Sequence, residues 1–333
     1  MPVRVFVLGF GKVGRWLVRL LLEEYRDRFH LLGVTSSKGT VLAEGPADRA
    51  VLARLAKGAR SLSEHPSFIP GLLAPDSVLA TRPNMVLVAI PPSYQTGEPN
   101  TSMYKSFIEA GIGIVTADKT VLALHFEEIV SLAAESGVPL GFRATVAAGT
   151  PVLDVASALR WRGVSRVRAV LNATTNYVLG LLERGLTLDD AVRRSIEAGL
   201  AEPDPSIDLE GWDAAAKLTI LANVLGIPAR LDEVERRPLS EALGRARGGG
   251  RLKQVAYLDA EKGILRVSPE IVSPGDPLAR AEGEGNVVVF GLEDDEIVVE
   301  GPAGPAWRTA RVMIADALDL AGKTVSMVPR VSL

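Results

Sequence analysis

Two segments of this sequence carry residue types whose spacing suits chemistry. The first, Gly9-Phe10-Gly11-Lys12-Val13-Gly14, fits a G-x-G-x-x-G pattern. In that pattern the first glycine allows a tight turn, the second lets backbone N–H groups approach a pyrophosphate, and the third lets helix and strand pack closely. A helix N-terminus beyond it then favours the phosphate charge. The second segment runs from Gly199 to Lys217, GLAEPDPSIDLEGWDAAAK. Two prolines stiffen the chain around Asp204 by fixing φ. Asp213 and Lys217 stand four apart, acid before base, and so share one helical face. From Trp212 to Leu225 they are the only charges, and Ala214, Leu218, Leu221 and Leu225 form an apolar stripe. A helix that is apolar all round is buried, and a buried pair of charges is either functional or a structural ion pair.

The elements around the glycines are those the motif needs. Val3 to Leu8 reads as a strand, and Lys12 to Leu22 as a helix with Val13, Leu17, Leu20 and Leu21 at helical spacing. His30 to Thr35 and Met85 to Ile90 read as further strands, the latter stopped by Pro91-Pro92. Met103 to Ala110 is a helix, Ile112 to Thr116 a strand, and Phe126 to Glu135 another helix. Continuous apolar strands between helices predict an α/β, doubly wound, Rossmann-like nucleotide domain over residues 1–140. Lys119 follows the Ile112 to Thr116 strand, at the carboxyl edge where such folds bind ligands; the alternative is a surface lysine that starts a helix.

Cofactor choice is read at the end of the second strand, where an acid would hold the ribose hydroxyls of NAD. This chain has Ser36-Ser37-Lys38 there. Hydroxyls and a cation suit a 2′-phosphate, with Lys12 and Lys57 adding charge, so NADP(H) is the expected cofactor and NAD the alternative.

After Gly149 the pattern changes. Pro151 to Trp161 is helical and Val164 to Leu171 alternates like a strand. Helices follow near Thr175 to Glu183, Leu188 to Gly199 and Gly211 to Leu225. Strands then appear at Val255 to Leu258, Ile264 to Val267, Val287 to Phe290 and Ile297 to Val299. Helices and strands in separate runs predict an α+β domain with an antiparallel sheet over 141–300. Gly244 to Arg251 reads as a mobile loop. A last helix, Thr309 to Leu320, belongs to a segment, 301–333, expected to return to the first domain.

Composition narrows the function. At 333 residues and 47% hydrophobic content the chain is long enough for two cores. A net charge of -3 offers no basic field for nucleic acid. There is no secretory leader and no apolar run of the roughly 18 residues that a membrane span needs, so a cytoplasmic protein is expected. Cysteine is absent and there are three histidines, His30, His65 and His125, too scattered for a zinc cluster or a Ser-His-Asp triad.

At this point the residues resemble a known family. The Gly199–Lys217 segment is similar to the homoserine dehydrogenase signature along its length. Matches follow in family order at Gly9 to Gly14, Thr96-Gly97-Glu98-Pro99, Val115 to Lys119, Ala144-Thr145-Val146 with Gly149, and Leu171 to Tyr177. The resemblance covers essentially the whole chain. It implies an NAD(P)-dependent oxidoreductase interconverting L-homoserine and L-aspartate 4-semialdehyde, with a nucleotide domain, a dimerisation region and a substrate domain, usually in a homodimer. It further implies Lys217 and Lys119 as acid/base candidates at the reacting carbonyl, with Asp213 orienting Lys217 and the substrate. By the same resemblance Glu202 and Asp208 bind the substrate ammonium, Thr174 and Ala173 lie by its amino acid group, and Pro91 lies near the nicotinamide ribose.

There are departures. The family usually has Gly at Ala173, and often Glu at Arg143, beside a main-chain sodium site involving Val146 and Ala148. A cation there argues against bound sodium, and no metal is expected. Gly301-Pro-Ala-Gly304 loosely resembles a glycine-rich turn near the cofactor. The chain resembles the short form of the family, without a regulatory ACT domain or fused aspartate kinase. The rivals are a catalytically silent NADP-binding protein and another two-domain amino-acid dehydrogenase.

Overall fold

The computed structural model describes residues 2–201, 204–242 and 249–322. Its contacts divide the chain into two compact units: residues up to Thr145 with those from Gly304 onward, and Val146–Ala303.

In the first unit seven strands form one sheet: β1 (Val3–Leu8), β2 (Phe29–Ser36), β3 (Gly39–Leu42), β4 (Phe68–Pro70), β5 (Met85–Val88), β6 (Gly113–Thr116) and β7 (Leu140–Gly141). Their order is β4-β3-β2-β1-β5-β6-β7. From β2 through β7 the sheet is parallel. The chain winds from β1 outward on one side, then returns to place β5 on the other, so the strand order reverses beside β1. That reversal opens the crevice in which such sheets hold ligands. Helices α1 (Lys12–Glu23), α2 (Pro46–Lys57), α3 (Asp76–Thr81), α4 (Asn100–Glu109) and α5 (Thr120–Glu135) link the strands.

The antiparallel edge was not foreseen. β2 turns straight back into β3 through Ser37-Lys38, with Ser36 opposite Gly39, and β4 pairs with β3. Strands this short carry too few side chains for a period-two signal to register. The helix expected from Phe126 starts at Thr120, and His125 interrupts it with φ -136 and ψ 38. That break is why the sequence pattern revealed only its second half.

The last helix, Ala306–Ala321, completes the core of this unit. Its Ala310, Met313, Ile314 and Ala317 join Val5, Val7, Leu17, Leu21 and Leu31 in one buried cluster. Burying a side chain the size of Met313 or Ile314 is worth about 2 kcal/mol. A polar clasp adds to it. Arg143 donates its backbone N–H to Asp316 Oδ2 at 3.0 Å, and its guanidinium pairs with Asp316 and Asp319.

The second unit holds β8 (Arg166–Val170), β9 (Glu235–Arg236), β10 (Arg251–Asp259), β11 (Ile264–Val272), β12 (Asn286–Gly291) and β13 (Glu296–Gly301). They form a six-stranded sheet in the order β13-β12-β8-β10-β11-β9. All neighbours are antiparallel except β11 and β9. Its helices are α6 (Val152–Leu159), α7 (Ala173–Glu183), α8 (Leu188–Glu197), the single turn α9 (Ser206–Leu209) and α10 (Trp212–Leu225). β10 and β11 run well past the short apolar runs seen in the sequence. Their ladder extends from Arg251 opposite Val272 to Asp259 opposite Ile264, so pairing carries polar residues such as Lys253 and Glu270 into the sheet. Arg251 therefore opens a strand rather than closing a loop; residues 244–248 of the expected loop lie outside the described residues. No helix among the described residues is long and apolar enough to cross a membrane.

The clasp on the last helix is testable. The Asp316 side chain is 1% exposed and that of Asp319 is 53% exposed. Arg143→Ala leaves a buried carboxylate without its cation and costs about 3 kcal/mol, whereas Asp319→Ala leaves stability nearly unchanged. Thermal unfolding of the two variants checks this; equal midpoints would show that the buried pair contributes nothing.

Candidate active site

The glycine turn at the end of β1 is held by three constraints. Gly9 has φ +106, and a Cβ there would lie 2.1 Å from the Ala89 carbonyl oxygen. At Gly14 a Cβ would lie 2.0 Å from the Gly9 carbonyl oxygen, so any side chain would push α1 off the turn. A Cβ on Gly11 would meet nothing within 4 Å. Space above the second glycine, with backbone pressed close at the first and third, is what a pyrophosphate needs. The Gly9 N–H donates to the Thr35 carbonyl at 2.9 Å, which ties the turn to the end of β2. α1 starts here with no acid in its first turn, and its first N–H groups lack intrahelical acceptors.

The side chains that the sequence assigned to the cofactor behave differently from one another. Phe10 is buried in the core with the Arg15 guanidinium 5.4 Å from its ring centroid, so it offers a cofactor only its backbone. Val13 is half-buried and Lys12 exposed. Ser36 spends its hydroxyl on its own turn, donating to the Gly39 carbonyl at 3.1 Å and accepting the Lys38 N–H at 3.3 Å. Ser37 and Lys38 form the exposed tip of that turn. Lys57 is a correction. Its ammonium pairs with Glu23 at 2.8 Å, at the far end of α1 and about 16 Å along the helix from the glycines. The end-to-end reach of a helix removes it from the cofactor set.

Pro91 and Lys119 follow β5 and β6 at the carboxyl edge of the sheet, and one buried network underlies both. Asn100 Nδ2 donates to the Pro91 carbonyl at 3.2 Å and to Asp118 Oδ2 at 2.8 Å. Asp118 Oδ1 accepts the Thr120 N–H at 2.9 Å and its hydroxyl at 2.7 Å. The carboxylate thus ties down the first turn of α5, with the half-buried Lys119 at its cap. Burial pushes the Asp118 carboxyl above its ordinary range, against the hydrogen bonds from Thr120 and Asn100 and the charge of Lys119. Neither Asp118 nor Asn100 was foreseen as a supporting residue. The available signal was an Asp two residues before a helix-starting Thr, a pattern that forms such turns.

In the second unit the charged pair on α10 is where its helix implies. Lys217 Nζ lies 2.8 Å from Asp213 Oδ2, with the side chains 15% and 8% exposed. α10 buries Ala214, Ala215, Ala216, Leu218, Ile220, Leu221 and Leu225 around it. Lys217 also donates to the Leu171 carbonyl at 2.7 Å, where β8 ends. Among the described residues its ammonium uses two of three N–H donors, which leaves one for a carbonyl oxygen.

Asp208, on α9, comes to the same place. Asn172 Nδ2 donates to Asp208 Oδ1 at 2.6 Å and to Asp213 Oδ2 at 2.8 Å. Burial and the Asp213 carboxylate push the Asp208 carboxyl above its ordinary range, while Asn172, Lys217 and Thr174 hold it down. Thr174 donates to the Leu200 carbonyl at 2.9 Å, and Ala173 is the half-buried first residue of α7. Lys253, itself buried, donates to Asn176 at 2.9 Å and to the Ala281 carbonyl at 2.5 Å, anchoring α7 to β10. Asn172 is the residue sequence reasoning missed in this unit; its standing as a helix-capping type was the available signal. Glu202 lies outside the described residues.

The glycine-rich turn near residue 301 packs on Gly149, where a Cβ would lie 2.2 Å from the Ala303 carbonyl oxygen. Thr150 donates to the Pro302 carbonyl at 3.0 Å. Among the described residues no group of three His, Asp or Glu is placed to hold a metal ion.

Comparison with known proteins draws on both units. A profile of the family named homoserine dehydrogenase matches residues 151–318. The homoserine dehydrogenase of Sulfurisphaera tokodaii is 30% identical over 310 residues, spanning 91% of this chain and 94% of its own length. An NAD(+)-dependent homoserine dehydrogenase of Pseudomonas canavaninivorans is 29% identical over 341 residues, 95% of this chain and 96% of its own. Among solved structures, a hyperthermophilic archaeal homoserine dehydrogenase in complex with NADPH superimposes with a TM-score of 0.83 at 29% identity, covering 96% of this chain and 98% of that one. A buried acid–lysine pair on an apolar helix, a Rossmann-type glycine turn and similarity along nearly the full length converge on one conclusion: the chain belongs to the homoserine dehydrogenase family.

Proposed function

We infer that this chain interconverts L-homoserine and L-aspartate 4-semialdehyde with a nicotinamide dinucleotide, a step of threonine and methionine biosynthesis. The observation that carries this reading is the buried Asp213–Lys217 pair, in which one Lys217 N–H has no acceptor among the described residues, in a chain of this family. When bound, the nicotinamide supplies the hydride for the aldehyde carbon and accepts it again in the oxidative direction. The protein has two tasks left: to hold the four-carbon amino acid still and to manage charge and a proton at the carbonyl oxygen.

Lys217 takes the second task. Its ammonium donates a hydrogen bond to the carbonyl oxygen and gives up a proton as alkoxide character develops. Asp213 and the Leu171 carbonyl fix the direction of that ammonium. Lys119 is the second acid/base candidate, on the first unit, steadied by the Asp118 network. Asp208 and Glu202 receive the substrate ammonium, with Thr174 and Ala173 beside the amino acid group. Support for Asp208 comes from its lack of any ion pair within the described residues, although it is mostly buried beside Asp213. A cationic substrate group would complete it.

Gly9, Gly11 and Gly14, with the backbone N–H groups of the Phe10–Val13 turn, would hold the phosphates of the dinucleotide, and Pro91 would stand by its nicotinamide ribose. NADP(H) is the preferred cofactor and NAD the alternative, since Ser37 and Lys38, with Lys12, offer a hydroxyl and cations where an acid would select the plain ribose. The relatives named above include one described as NAD(+)-dependent and one held with NADPH, so the family accommodates both. A cytoplasmic homodimer is part of the same reading.

A spectrophotometric assay with L-homoserine and each cofactor separately tests the reaction; reduction of neither NADP+ nor NAD+ would refute it. Lys217→Ala lowers turnover by at least about 100-fold, the usual worth of a positioned acid/base group, while NADP(H) titration gives an unchanged affinity. Near-normal turnover would remove Lys217 from the chemistry. The raised Asp208 carboxyl predicts an acid limb in kcat/KM for homoserine above the ordinary Asp value of about 3.9, because the protonated acid no longer attracts ammonium. A profile flat down to that value excludes Asp208 as the ammonium partner. Lys38→Ala weakens NADP+ about fivefold, as expected for one exposed charge on a phosphate, and leaves NAD+ unchanged; equal losses for both would place Lys38 away from the 2′-position.

A further inference from the structure

We propose that Asn172 is a positioning residue for substrate: its single amide separates the roles of two neighbouring carboxylates, committing Asp213 to Lys217 and presenting Asp208 to the ammonium of the bound amino acid. This rests on the reading of Asp208 as an ammonium partner given above.

The geometry fixes the amide's orientation. Asn172 Oδ1 accepts the Thr175 N–H at 2.8 Å, as the cap of α7. A backbone N–H can only donate, so the oxygen is assigned to that side and the NH2 group must face the acids. Both of its hydrogens are then used, one on Asp208 Oδ1 at 2.6 Å and one on Asp213 Oδ2 at 2.8 Å. Two carboxylate oxygens on one nitrogen lie within about 5 Å of each other, where like charges in a partly dry site repel strongly. The charged groups that face Asp208 are Asp213 and Lys217 among the described residues.

One ammonium cannot serve two acids equally. Lys217 pairs with Asp213 at 2.8 Å, and the amide gives Asp208 a donor without a charge. Asp208 is thereby held still and kept ionisable, yet left in need of a cation. Its main chain is steadied from the same helix start: Thr175 donates to Gln254 Oε1 at 3.1 Å, and Gln254 Nε2 donates to the Asp208 carbonyl at 3.2 Å. Ordinary capping explains only the Thr175 bond. It does not require an amide, since Ser and Asp cap as well as Asn.

That equivalence supplies the test. Asn172→Ser and Asn172→Asp both keep a cap for α7, and both lose the paired donors; the Asp variant also adds a third carboxylate. Steady-state kinetics with L-homoserine across pH, NADP(H) titration and thermal melts are measured on the wild type and both variants. The expected result is a KM for homoserine raised about tenfold in Asn172→Ser, and its acid limb moved up by about one pH unit, since each unit is a tenfold change in the proton equilibrium. Asn172→Asp loses more, in kcat as well as KM, while cofactor affinity holds in both. A wild-type KM and pH profile in Asn172→Ser, with an active wild type, overturns this inference and reduces Asn172 to a helix cap. A wild type that oxidises no homoserine would instead sink the reaction assigned above, so the two failures are distinguishable. Should the Asp variant not fold, the Ser variant alone decides.

Discussion

The structure turns on the cost of burying an ammonium and a carboxylate together. Each ion loses several kcal/mol of hydration on leaving water, and their attraction recovers this only when further hydrogen bonds satisfy them. Lys217 and Asp213 meet that condition through partners contributed from β8 and the start of α7: the Leu171 carbonyl and the Asn172 amide. The apolar length of α10 exists to hold this pair. Its leucines and alanines bury the helix, and only a buried helix can keep a lysine from swinging into solvent, where its charge would lose both direction and strength. The order of elements follows from the same need. Only Leu171 and Asn172 separate the end of β8 from the start of α7, so a carbonyl and a capping side chain meet α10 from adjacent positions.

The nucleotide half solves its problem by the opposite means. There the decisive features are side chains that are missing. Gly9, Gly11 and Gly14 let backbone approach backbone at the first and third positions and leave open space at the second. Polar groups contribute mainly by fixing secondary structure: Asp118 anchors the start of α5, and Ser36 closes a hairpin. Charge is present but subordinate, as Lys57 shows, since a lysine close in sequence to the right region is spent on Glu23.

The two departures from the family pattern have different standing. Arg143, where family members often carry an acid, is enclosed by Asp316 and Asp319 of the last helix. Its charge has a structural task in the first unit and is no stray cation. Ala173 is different. It stands at the start of α7 beside Asn172 and Thr174, and nothing in the structure explains the added methyl. The similarity to homoserine dehydrogenases runs over nearly the full length with both departures in place.

Much of this was legible in order of residues alone, and the division has a physical basis. Interactions within one turn or one strand repeat at fixed periods. The glycine turn, the apolar α10, the Asp213–Lys217 spacing and the parallel strands could therefore be read directly. What escaped was whatever joins distant positions. Asn172 bonds to Asp213 across 41 residues, Asn100 to Asp118 across 18 and Arg143 to Asp316 across 173, and no local period encodes such pairings. The β2–β3 hairpin and the long β10–β11 ladder escaped for a related reason, since strand pairing is decided by a neighbour's hydrogen bonds and not by a residue's own preference. Residue type set which groups could bear charge or bend the chain; only the folded backbone decided which of them would face one another, because a hydrogen bond or ion pair forms on distance and angle, and those belong to three dimensions.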